Sequence, residues 1–122
     1  MKLAKYFAAA AMLSLASGTA FADPVILGHN YLTTNFTTTN GTFIAGSVNI
    51  NGMVIKTLVA GCNSNALIEA VPPSGGTAIP ILYCVGTSAT LPQPVYLPAG
   101  WGVGWVSNTT AIGTLWSTYD LQ

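Results

Sequence analysis

The chain has 122 residues, of which 51% are hydrophobic, with three basic and three acidic side chains, one histidine and two cysteines. So few charges exclude electrostatic capture of phosphate backbones or anionic lipid, so nucleic acid is not an expected partner. Polarity rests on Thr, Ser and Asn instead, and such a neutral surface lacks the usual protection against self-association.

Residues 1–22 read as a secretory signal peptide: Lys2 and Lys5, the apolar run YFAAAAMLSLA, then Ala20-Phe21-Ala22 before Asp23. The run falls short of the ~20 residues of a membrane span, and no later stretch approaches one, so no span is expected after cleavage. Cleavage leaves residues 23–122 as a single domain of roughly 100 residues. The style of the signal points to bacterial export, to the periplasm, the cell surface or the medium. The domain then carries one lysine, Lys56, against Asp23, Glu69 and Asp120, with His29 its one histidine.

No helical periodicity survives after the signal, because Gly, Pro, Thr and Asn interrupt every window. A polar, Thr-rich strand is expected over 31–39, near an edge. Asn40-Gly41 and Asn51-Gly52 read as two-residue hairpin turns, since Asn and Gly accept the positive φ of a type I′ turn. Between them TFIAGSVNI alternates, with Ile44, Gly46, Val48 and Ile50 as the expected buried face. Residues 53–60 complete the expected three-stranded meander. Strands follow over 66–71 and 77–85, separated by the loop Pro72-Pro73-Ser74-Gly75-Gly76. Residues 91–97 form an edge strand, because Pro92 and Pro94 cannot donate to a ladder. Strands over 101–106 and 111–119 close the chain. About seven to nine short strands without a helix predict an all-β antiparallel sandwich of jelly-roll-like form.

An even cysteine count in an exported chain favours a disulfide between Cys62 and Cys84, with two separate thiols as the rival. Two cysteines and one distant histidine fall short of a tetrahedral metal site, so neither metal nor cofactor is expected. The three carboxylates lie far apart and no serine sits in a nucleophile elbow, so no catalytic residue is assigned and the chain reads as a non-enzyme. His29 reads as a surface or interface residue making a pH-dependent contact. The alternate glycines of GWGVG lack the spacing and following helix of a dinucleotide fingerprint. Along that strand Trp101, Val103 and Trp105 share one side, and Gly102, Gly104 and Val106 the other. Trp101 and Trp105, joined by Trp116, are candidate ligand or subunit contacts. A sugar-stacking platform, a packed core and a subunit interface all remain open for them.

A turn with NSN, the loop VPPSGG, the stretch PVYLPAGWGVGWVS and a closing strand ending in TYDL together resemble the small β-sandwich structural modules of bacteriophage tails, fibres and decoration proteins, over residues 58–120. The resemblance implies an assembling, often trimeric module without a cofactor. The expected function is an exported, non-enzymatic structural or adhesive subunit that self-associates as a homo-oligomer, trimer or fibre. The alternative is a secreted carbohydrate-binding module with a tryptophan platform and glycans as its partner.

Overall fold

The computed structural model describes residues 24–74, 76–108 and 113–122; the expected signal peptide lies outside them. Nine strands follow in chain order: β1 (Asn30–Phe36), β2 (Asn40–Ile44), β3 (Met53–Cys62), β4 (Asn65–Val71), β5 (Ile79–Val85), β6 (Ser88–Thr90), β7 (Val95–Leu97), β8 (Gly102–Val106) and β9 (Gly113–Leu121). One sheet runs β1-β9-β3-β6, with β7 on β3 beside β6, and the other runs β2-β8-β4-β5. Every pair is antiparallel. The chain passes back and forth between the sheets, and among the described residues β4 and β5 form the one hairpin of consecutive strands. This is the strand order of a jelly roll, in which two Greek keys form a double sheet. The expected all-β sandwich is therefore the observed fold.

The expected local meander is not. β1 pairs with β9, β2 with β8, and β3 with β9, β6 and β7, so none of the first three strands pairs with another. Asn40-Gly41 opens β2, and Asn51-Gly52 lies in the corner that carries the chain between sheets, with Gly52 at φ 121°. The strand expected through Ile50 stops at Ile44, and a 3-10 turn follows over Gly46–Val48. A register shift between Thr42 and Ile44 puts both Phe43 and Ile44 into the core, whereas Val48 and Ile50 are exposed. A bulge breaks period-two alternation, which is why the pattern misled. Of the strand expected over 91–97 only Val95–Leu97 forms, as β7, which shares with β6 (Ser88–Thr90) the edge of β3 away from β9.

Inward side chains of both sheets meet in one core, centred on Phe36, Met53, Ile55, Leu58, Ile68, Val103 and Leu115. Cys62, the last residue of β3, is bonded to Cys84 of β5, with 6.2 Å between their Cα atoms. The disulfide therefore staples one sheet to the other.

The inward face of β8 holds Val103 and Trp105, both buried. The Trp105 ring packs 5.7 Å from that of Phe36, and its indole N–H donates to Thr38 O at 3.3 Å. The glycines between serve β2. A Cβ on Gly102 would press on the backbone of Ile44 and lie 2.7 Å from Gly46 N, and one on Gly104 would lie 2.7 Å from Gly41 O. GWGVGW thus buries a tryptophan on one side and admits a neighbouring backbone on the other.

Asn49 pins the corner before β3. It is fully buried, donates its amide to Pro98 O (2.7 Å) and Trp101 O (2.9 Å), and accepts from Gly52 N at 2.9 Å. Gly100 N donates back to Asn49 O at 2.7 Å, so the 45–52 corner and the 98–101 turn form one hydrogen-bonded unit.

Candidate functional site

Four described residues are His, Lys, Asp or Glu, and three of them meet at one end of the outer face of the five-stranded sheet. The antiparallel register of β1 on β9 carries His29, just before β1, to Asp120 near the end of β9. β9 also pairs with β3, where a register shift between Ile55 and Thr57 leaves Lys56 as the extra residue of a bulge. A bulge re-aims a side chain, and here the Lys56 ammonium comes within 3.8 Å of Asp120 Oδ2. Glu69 lies apart, on β4 of the other sheet.

One oxygen of Asp120, Oδ1, accepts both the backbone N–H of His29 and its Nδ1, each at 2.7 Å. These bonds to His29, with the lesser attraction of Lys56, hold the Asp120 carboxyl below its ordinary value of 3.8, against a smaller opposing effect of burial. With Nδ1 engaged by a carboxylate, Nε2 is the nitrogen left for other contacts. The His29 side chain is 93% exposed, so a molecule on this face can reach it.

Residues 24–29 form an arm along this face. Gly28 N donates to Thr118 Oγ1 at 3.0 Å, and Asn30 Nδ2 to Tyr119 O at 3.2 Å. A Cβ on Gly28 would fall 2.5 Å from Tyr119 N, so only glycine lets the arm lie this close to β9. Pro24, Val25 and Ile26 then wall a cavity of about 430 Å³, opposite Leu91, Pro92 and Pro94 and over Lys56 and Thr57. Tyr96 lies across β3 from Asp120, both being partners of Val54, and Tyr31 and Trp116 project from the same face; all three aromatic rings are exposed.

The three tryptophans do not form one platform. Trp105 is in the core, Trp101 is half-buried against it, and Trp116 stands outward on the opposite sheet. Cys62 and Cys84 are joined as expected. Sequence reasoning left His29, Lys56 and Asp120 unconnected; their one signal was scarcity, in a chain where each charge stands alone. Among the described residues no group of three His, Cys, Asp or Glu is placed to hold a metal, and no helix is long and apolar enough to cross a membrane.

No family model and no curated protein matches the sequence. Among solved structures, the chain is similar to NovW, a 4-keto-6-deoxy sugar epimerase from the novobiocin biosynthetic gene cluster of Streptomyces spheroides, with a TM-score of 0.39 and 15% identity over 81% of this chain. The match spans 48% of that protein, about half its length. The expectation of a self-associating structural or adhesive subunit, and with it the tryptophan-platform alternative, is set aside because Trp101, Trp105 and Trp116, the contacts meant to carry them, share no exposed face. The residues meant to carry both are also taken up within one chain, Trp105 and Val103 by its own core. A likeness this distant says nothing of this chain's own activity.

Proposed function

We propose that the His29–Lys56–Asp120 end of the outer sheet face is a small-molecule site whose chemistry is proton transfer. The observation that carries the reading is the convergence of three scarce ionisable side chains, one of which, Lys56, lines a cavity of about 430 Å³. Asp120 orients the His29 ring through Nδ1, leaving Nε2 as the base, and Lys56 supplies positive charge where an oxygen gains negative charge. A cavity of this volume lies in the lower part of the range for ligand pockets. The setting is extracytoplasmic, where a disulfide such as Cys62–Cys84 forms and persists.

A small-fragment screen read by backbone and imidazole NMR tests the reading. Bound fragments are expected to shift the signals of residues 24–29, 56–57, 90–94 and 120 together. Shifts confined to the outer face of the other sheet, around Glu69 and Val71, would refute it.

A further inference from the structure

The chemistry around Lys56 narrows what the cavity takes. Its walls are apolar, from Val25 and Ile26 on the arm and from Leu91, Pro92 and Pro94 opposite. Lys56 lines it, with a side chain only 26% exposed. At 3.8 Å the Lys56–Asp120 contact is an ion pair and exceeds hydrogen-bond length, while Asp120 Oδ1 is already occupied by His29. The ammonium therefore has N–H groups to offer a ligand, and a carboxylate stands beside it.

From this, resting on the reading of the site as one for small molecules, we infer that the ligand is an uncharged amphiphile with an apolar body and a carbonyl head. The body fills the cavity and the carbonyl oxygen accepts from the Lys56 ammonium. An anionic head at the same place meets the like charge of Asp120, and a cationic head meets Lys56 itself. A neutral acceptor is the head group that both charges tolerate. Thr90, exposed at the cavity, adds a hydroxyl that suits a carbonyl as well.

The test uses the oxidised, signal-free protein and three probes of equal chain length: 2-octanone, octanoate and octylamine, titrated by NMR. The ketone is expected to bind about tenfold more tightly than either ion, with shifts at residues 24–27 and 90–94. Lys56→Met should weaken the ketone without unfolding the sheet, since the residue is partly exposed on a bulge. Gln93→Trp, on the exposed rim, should block all three probes. Octanoate or octylamine binding as well as the ketone, at the same residues, overturns the head-group assignment while leaving the site in place. Absence of binding by all three at these residues overturns the cavity as a ligand site.

Discussion

Replacing Asn49 by alanine removes the one side chain that joins the 45–52 corner to the 98–101 turn. The donated hydrogen bonds to Pro98 O and Trp101 O, with the longer one to Leu97 O, disappear, and the N–H of Gly52 loses its acceptor in a buried setting. At about 1 kcal/mol for each bond, with a further penalty for the orphaned N–H, the loss is about 3 kcal/mol or somewhat more. That is a large part of the 5–15 kcal/mol typical of a small domain. Urea unfolding followed by tryptophan fluorescence should show the midpoint falling with the slope unchanged, because the folded surface is otherwise the same. Asn49→Asp keeps the acceptor but loses both donor hydrogens and sets a carboxylate against three carbonyls, so it should be no better than alanine. A loss below about 1 kcal/mol for Asn49→Ala would refute the claim that this carboxamide holds the corner, since even one net hydrogen bond is worth about that much.

Reducing the Cys62–Cys84 bond, or replacing both cysteines by serine, should cost about 3 kcal/mol on the chain-entropy account of a loop of 22 residues' separation. Denaturant titrations with and without reductant measure it. Gly102→Ala should cost at least about 2 kcal/mol, because the added methyl drives β2 from β8; calorimetry against Gly86→Ala, where a Cβ meets nothing but φ is 62°, separates crowding from backbone strain. The arm should stay attached as the pH falls through 3.8 and let go only below it. Asp120 titrates lower when folded than unfolded, so its contribution is complete above the unfolded value and disappears as the pH falls through the folded one. Hydrogen exchange at the His29 amide follows this, and Asp120→Asn should speed that exchange at neutral pH; unchanged exchange would contradict the bonds to Oδ1.

The sandwich was legible because turn residues recur at strand spacing and no window carries a helical period. The disulfide was legible from an even cysteine count. Pairing was not: Asn-Gly looks the same in a hairpin and at a corner between sheets, and only long-range register tells them apart. Phe43 and Ile44 show the same limit, since adjacent residues both face inward only through a bulge. The tryptophans misled for a related reason. Alternation correctly placed Trp105 and Val103 on one side of a strand, but which side faced the core depended on how β2 lay over the glycines. The candidate site was hidden more deeply still. His29 and Asp120 are 91 residues apart and Lys56 points to them through a bulge, so their meeting follows from the β1-β9-β3 order and from nothing local.

If this cluster moves protons on a bound molecule, isotope exchange at carbon makes the transfer visible. In heavy water the wild-type protein should exchange the hydrogens next to the carbonyl of 2-octanone. His29 Nε2 takes the proton, the C–H pair becomes a carbon–carbon double bond, the carbonyl π pair moves to oxygen beside Lys56, and return from deuterated His29 restores the ketone. His29→Gln should slow exchange about 100-fold, the lower end for loss of a positioned base, and Asp120→Asn should slow it less. Equal rates for the wild type and His29→Gln would show that His29 is not the base.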